Sequence, residues 1–294
     1  IILPGGGVIK GLSGNKTAFT QGFHAHLLFI DESHDIELDV VTESFYPMLA
    51  NYAGRMILSG VGGEPGSPIE AMEFDYQSIY PWTEYIDYFP RYQKTVDKER
   101  RIMLPEEFDA HYNCLPLDIS QHQLIHNIQP YEVVTGNRTL VAIDWGQKVD
   151  KSIVTLAKTD GDNYFITDWF EPKGGYVDQV DQIGDYLIPI LYDAIYSETN
   201  GVGQGPTDML MRKVRGVTPI DINPTSKTNK AKIIHSKAKT GELKYNPNHL
   251  LSERFFNDIT GLKYKWVGHN ISVDHSDFFS SLILLLEEKR EVYV

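Results

Sequence analysis

A single cysteine, Cys114, stands among 294 residues, which excludes an internal disulfide framework and any cysteine-based zinc cluster within one chain. A reducing compartment suits such a chain. No run of about eighteen apolar residues is present, and the N-terminus lacks a basic region followed by an apolar core and a small-residue cleavage site. The sequence therefore reads as soluble and unsecreted. Positive charge is scarce: 27 Lys and Arg face 40 Asp and Glu, for a formal net charge of −13. That balance argues against a protein that coats nucleic acid through a general positive field. What is present is a hydrophobic fraction of 41%, enough at this length to build a core in each of two domains.

The remaining positive charge is clustered. Between Arg212 and Lys244 lie Arg212, Lys213, Arg215, Lys227, Lys230, Lys232, Lys237, Lys239 and Lys244, opposed only by Asp221 and Glu242. Lys227 to Thr240 reads as a basic helix stopped by Gly241. It is either a solvated face or a contact surface for DNA phosphates, with Lys227, Lys230, Lys232 and Lys237 as the contacts.

The chain is organised around Thr139-Leu-Val-Ala-Ile-Asp144-Trp-Gly146 and the second β-rich run Asp150-Lys-Ser-Ile-Val-Thr-Leu156. An apolar run that ends on a carboxylate, breaks at glycine and resumes predicts a two-stranded hairpin. A carboxylate on a buried strand is costly to desolvate unless positive charge compensates it, and a divalent cation is one such compensation. Asp144 is thus a candidate metal ligand. The alternative is an edge-strand aspartate that caps the turn at Gly146.

Upstream, Gly14-Asn15-Lys16-Thr17 fails as a phosphate loop, because Asn15 separates the glycine from the lysine and no clear helix follows. His26-Leu-Leu-Phe-Ile30-Asp31-Glu32-Ser33-His34 is a buried-type strand that ends in two acids. This is the form of the second nucleotide-binding motif, in which the first acid holds Mg²⁺ and the second polarises the attacking water. Arg55-Met-Ile-Leu-Ser59-Gly60 is a neighbouring strand that runs into a small-residue loop. Two ordinary buried strands with turn residues at their ends would look similar, but the order and spacing favour the nucleotide-site reading. The aromatic-rich stretch after Glu64 has few interleaved basic residues and reads as packing rather than a base-stacking platform. Within it, Leu104 to Tyr112 forms a short helix with Pro105 in its first turn. Pro130 to Asn137 is the expected domain boundary, giving domains 1–132 and 133–294.

Downstream, Asn163 to Phe170 is a third strand, Val177 to Leu191 a helix, and Ala194 to Ser197 a fourth strand that ends on Glu198 before Thr-Asn200-Gly201-Val-Gly203. The glycines of that loop would let a ligand approach closely. The order strand, strand, strand, helix, strand lays the fourth strand beside the first. Val217 to Ile222 is a fifth strand, Leu250 to Ile259 presents a helical apolar face, and Tyr264 to Val267 is a short strand. A last helix follows Asp274-His275-Ser276-Asp277. Asp274 or Ser276 can cap it, which leaves one acid, a turn along the same face, without a structural role.

Asp144, Glu198 and Asp277 on separate elements form the constellation of RNase H-like nucleases, in which carboxylates clamp two divalent cations about 4 Å apart that activate water and stabilise the leaving oxygen. Oxygen donors suit the hard ions Mg²⁺ and Mn²⁺.

Taken in order, Asp31-Glu32, Leu58-Ser59-Gly60, Asp144-Trp-Gly146, Ser197-Glu198-Thr-Asn200-Gly-Val-Gly203, Ser226-Lys227 and Asp277-Phe-Phe-Ser-Ser-Leu282 resemble the motifs of the large terminase subunit of tailed bacteriophages. The resemblance runs across nearly the whole chain. It implies an α/β protein: an RNase H-like mixed sheet flanked by helices, preceded by a partial P-loop-type ATPase domain without its phosphate-binding loop. It also implies a viral DNA-packaging enzyme that cuts concatemeric double-stranded DNA with Mg²⁺ or Mn²⁺, uses ATP in the complete motor, and works with portal protein and small terminase subunit in the host cytoplasm. Asp31 and Glu32 would be the ATPase acids, Ser59 and Gly60 the coupling residues, and Asp144, Glu198 and Asp277 the nuclease ligands. Two departures matter. The family's phosphate loop lies upstream of this chain's start, so the ATPase half reads as truncated and a separate chain could carry the missing segment. Ser276 and Ser280 stand where the family usually has acids, which leaves Asp277 as third ligand and Asp274 as a possible substitute. A DExH helicase, suggested by Asp31 to His34, would continue into a second RecA-like domain rather than a three-acid site. A branched-DNA resolvase and a catalytically decayed adaptor are the remaining alternatives.

Overall fold

The structure, a computed structural model, describes residues 1–14, 23–146 and 151–287. Residues 15–22, with most of the rejected phosphate-loop stretch, lie outside the described residues, as do 147–150 between the two organising strands. The chain divides into two compact units, Ile1–Ile119 and Ser120–Val294.

In the first unit, β1 (Leu27–Ile30) and β2 (Arg55–Leu58) pair in parallel, with Leu27 opposite Arg55 and Ile30 opposite Leu58. Parallel strands cannot be joined by a tight turn, and the crossover is made by the π-helical turn Val40–Phe45 and the 3₁₀ turns of Tyr46–Tyr52. Val40, Val41, Phe45 and Met48 close on Ile30 to make a small core. That core covers one face only: Leu27, Phe29 and Ile57 alternate to the other side and are exposed. Four helices follow: α1 (Pro68–Ala71), α2 (Trp82–Ile86), α3 (Tyr92–Ile102) and α4 (Pro105–Tyr112). Helix α4 starts at the predicted proline. Helix α3 is not legible in the sequence because it buries only Val96 and offers no apolar stripe. Tyr85, Phe89, Tyr92, Tyr112 and Phe108 contact one another, and the Arg100 guanidinium lies 4.6 Å from the Phe108 ring centre and 5.3 Å from that of Trp82. Tyr76, Tyr80 and Tyr88 are exposed, so the packing expected of this stretch holds for part of it only.

The second unit is built on a seven-stranded mixed sheet. Its strands are β4 (Gln129–Pro130), β5 (Arg138–Asp144), β6 (Ile153–Thr159), β7 (Tyr164–Phe170), β8 (Ala194–Glu198), β9 (Val217–Ile220) and β10 (Leu243–Tyr245). The order across it is β4-β10-β7-β6-β5-β8-β9. β5, β6 and β7 form an antiparallel meander, and β8 returns parallel to β5 with Ile143 opposite Ser197, which is the predicted placement of the fourth strand. A smaller sheet joins β3 (His122–Gln123) to β11 (Lys263–Val267) and β12 (Asn270–Val273). β3 and β4 pair within this unit, so the division falls at 119/120 rather than near 132. Two-residue strands carry no periodic signal, which is why sequence pattern alone puts that boundary later.

Two-residue alternation sorts the sheet's faces. Val141, Ile143, Val154, Leu156 and Ile195 pack with Val180, Ile183 and Leu187 of α5 (Tyr176–Leu187) and with Leu210 of α6 (Gln204–Lys213). Leu140, Ala142 and Asp144 therefore face the opposite side. There Thr155, opposite Ala142, exchanges a 2.7 Å hydrogen bond with Ser281 of α9 (Asp277–Leu285). The basic helix α7 (Pro224–Thr240), capped by Asn223 and ended by Gly241 in the left-handed conformation, packs against α9, as does α8 (Ser252–Gly261). Among the described residues no helix is long and apolar enough to cross a membrane.

Candidate nuclease site

β5 is a central strand between β6 and β8, so Asp144 is not the edge-strand turn cap that the sequence also allowed. It ends the strand with only 5% of its surface exposed. Its position is braced on the far face of the sheet by Trp145, whose Nε1–H donates to Ser197 Oγ (2.8 Å) and Thr207 Oγ1 (3.0 Å). Register brings Glu198, one residue beyond Ser197, alongside Asp144. The turn after Glu198 folds back so tightly that a Cβ at Gly203 would sit 2.3 Å from the Glu198 carbonyl oxygen. The glycine thus admits the strand's own backbone, where the sequence suggested room for a ligand. Thr207 Oγ1 donates to the same carbonyl at 2.9 Å.

Asp277 reaches this site from the first turn of α9. Ser276 is the helix cap, accepting the Phe279 N–H at 3.0 Å. Asp274 precedes the helix; it is exposed, and its N–H donates to the Lys263 carbonyl. The expectation that both acids share one helical face is corrected by this geometry. Burial first, then a hydrogen bond with Glu198 and its charge, then the charge of Asp277, hold the Asp144 carboxyl well above the usual carboxylate range. The Lys227 ammonium on α7 acts in the opposite direction. The three predicted acids are therefore neighbours electrostatically, with Lys227 beside them. Among the described residues no group of three His, Cys, Asp or Glu side chains converges as a finished metal cage.

Asp277 is itself tethered. Its Oδ2 accepts the Lys151 backbone N–H at 3.3 Å and lies 3.8 Å from Arg254 Nη2, and its Oδ1 is 3.1 Å from His275 Nε2. Glu171, just past β7, binds the Lys151 ammonium at 2.7 Å and pairs with Arg254 Nη1. Burial pushes the Glu171 carboxyl up, but its hydrogen bonds and charge pairing with Lys151 and Arg254 prevail and hold it below the usual range. Sequence reasoning misses this group. Glu171 and Arg254 are 83 residues apart, and neither belongs to a motif.

The basic helix does not present one solvated face. Lys230 is buried against the Glu287 carboxylate, and burial draws its ammonium down to about 8. Lys237 is held by Glu242 (3.2 Å) and the Asp162 carbonyl, and Lys232 lies 5.1 Å from the Trp266 ring centre. Of the four lysines proposed for DNA, Lys227 is the one beside the acids.

In the first unit, the predicted nucleotide and coupling motifs touch. Ser59 Oγ donates to Asp31 Oδ1 at 2.5 Å, and the Ser33 N–H and hydroxyl both donate to the Ser59 carbonyl. Glu32 adopts a left-handed backbone (φ 50°), and its carboxylate lies 3.5 Å from His34 Nδ1. A Cβ at Gly60 would fall 2.8 Å from that same imidazole nitrogen.

No family model and no curated protein matches the sequence. Solved structures do. The large terminase of a thermophilic bacteriophage superposes with a TM-score of 0.58 at 8% identity, covering 91% of this chain and 70% of its own. The chain has the fold of a phage large terminase. The same thermophilic-phage terminase in complex with ADP matches with a TM-score of 0.54 at 9% identity, and in complex with ATP-γ-S with 0.52 at 10%, each covering 90% of this chain and 70% of its own. At such low identity the terminase likeness lies in backbone architecture and spans both units.

Proposed function

We propose that this terminase-fold chain is a viral DNA-packaging large terminase whose second unit is a metal-dependent endonuclease for double-stranded DNA. The observation that carries the reading is the buried Asp144 carboxyl, held up by Glu198 and Asp277 from two other elements. Close carboxylates in a low-dielectric setting force one to keep a proton unless cations compensate them. The donor set consists of oxygens only, which fits Mg²⁺ or Mn²⁺. Asp144, Glu198 and Asp277 would hold the metal, with Asp274 a remoter substitute. Bound there, divalent metal would supply an activated water and stabilise the charge of the leaving oxygen. The residues divide the remaining work. Trp145 and Gly203 fix the ends of β5 and β8, Ser276 fixes the start of α9, and Lys227 offers positive charge for a DNA phosphate beside the acids. His275 holds Asp277 and is assigned no role as a base.

The first unit belongs to an ATP-driven motor, with Asp31 and Glu32 as its acids and Ser59–Gly60 linking them to motion. Portal protein and small terminase subunit are its proposed partners, in the host cytoplasm. Incubation of supercoiled plasmid with Mn²⁺ tests the nuclease reading. The wild type should nick and linearise it with little sequence preference, and Asp144→Asn should not. Cleavage confined to branched DNA would indicate a resolvase, and none under any divalent metal a decayed adaptor.

A further inference from the structure

Lys151, Glu171, Arg254 and Asp277 form a linked group of two cations and two carboxylates beside the proposed nuclease site, with His275 also on Asp277. Glu171 grips both cations, one with each oxygen, and the Arg254 guanidinium also lies 5.1 Å from the Phe278 ring centre. One face and one end of the guanidinium are therefore engaged. The other end, Nη2, stands 3.8 Å from Asp277 Oδ2, beyond a good hydrogen bond. That contact is a charge pairing that can be given up while the Glu171 grip persists. The side chain of Asp277 is 13% exposed and that of Arg254 38%, so the guanidinium is the more solvent-facing of this pair, and in the group only Lys151, at 54%, is more exposed.

We propose that Arg254 is a phosphate-binding residue held in reserve by Asp277, released toward DNA when a divalent cation takes the Asp277 carboxylate. The inference rests on the nuclease reading given above. Before metal binds, the group is charge-neutral and attracts a phosphodiester weakly. Once Asp277 serves a metal ion, Lys151, Arg254 and Glu171 are left with one net positive charge, next to the ion that the scissile phosphate must approach. Arginine presents a planar fork that suits phosphate, and one arm of it is already anchored. Metal loading and DNA binding are then linked through one side chain, and linkage requires that DNA tighten metal binding by the same factor.

The test is fluorescence anisotropy of a labelled DNA duplex with the full chain, in EDTA and in Ca²⁺, a divalent probe used in place of Mg²⁺ to favour binding over cleavage. In the wild type, Ca²⁺ should tighten DNA binding. Arg254→Gln should lose about tenfold of that gain, the scale of one charge-assisted contact, and should lose clearly less in EDTA, where the guanidinium is held by Glu171 and Asp277. Its salt slope in Ca²⁺ should fall by roughly one. Arg254→Lys, which keeps the charge, should recover part of the gain, and melting curves should match the wild type's if each variant is folded. A full Ca²⁺-dependent gain in Arg254→Gln, or an equal loss in EDTA and in Ca²⁺, overturns the proposal. So does a wild type whose DNA affinity ignores Ca²⁺. Plasmid cleavage by the wild type in Mn²⁺, run in parallel, separates the two readings. Cleavage with no Arg254 effect sinks this inference alone, whereas loss of both cleavage and metal-dependent binding sinks the nuclease reading with it.

Discussion

Replacing Asp144 by Asn should stabilise the metal-free protein at neutral pH, although it destroys the proposed site. In the fold, burial, Glu198 and Asp277 hold the Asp144 carboxyl well above its ordinary range; in the unfolded chain it titrates near about 3.9. Between those two values the folded state binds the extra proton, so stability falls as pH rises and stays reduced above the folded value. Each unit of elevation corresponds to about 1.4 kcal/mol, or about 3 to 5 °C in melting temperature for a domain of this size. The amide keeps the shape, cannot ionise and can still donate to Glu198. Melting in EDTA at intervals from pH 4 to pH 8 should show the wild type losing stability as pH rises and Asp144→Asn holding a flatter profile, so that the variant's advantage grows with pH. An advantage that is constant across that range, or a variant less stable than wild type at pH 8, would refute the electrostatic account. Mn²⁺ should reverse the order at pH 8, since it stabilises only a chain that can bind it.

Gly203→Ala places a methyl 2.3 Å from the Glu198 carbonyl oxygen; it should lower the melting temperature and reduce nicking together, and an unperturbed melt would contradict the close approach. Trp145→Phe removes the Nε1–H donor of the Ser197 and Thr207 hydroxyls, which keep their 2.7 Å bond to each other, and should cost roughly 0.5–1.5 kcal/mol in urea unfolding. Neutralising Lys230 or Lys237, both paired internally, should leave the salt slope of DNA binding unchanged, whereas Lys227→Gln should lower it by roughly one; equal effects at all three would restore the single basic face.

The elements legible in the sequence are those with strong period or punctuation. β5 to β8, the helix between them and the cap before α9 are all visible, and strand order alone is enough to bring Glu198 beside Asp144. Helices α3 and α6 escape a reading of pattern because they bury few apolar residues. The basic helix is visible, but charge counting gives no account of which lysines turn inward. Lys237 pairs with Glu242 just past the Gly241 helix stop, while Lys230 finds the carboxylate of Glu287, 57 residues on, which only tertiary packing decides. The Lys151, Glu171 and Arg254 group is invisible for the same reason: its members meet through β7 and α8, with no local spacing to mark them.

If Asp144, Glu198 and Asp277 bind divalent metal together, crystals grown with Mn²⁺ and measured at the manganese absorption edge should show anomalous density between the Asp144 and Glu198 carboxylates, with Asp277 turned onto it and the Arg254 guanidinium drawn away. Density absent from all three acids, in crystals of a protein that still nicks plasmid in the same Mn²⁺ buffer, would contradict such binding.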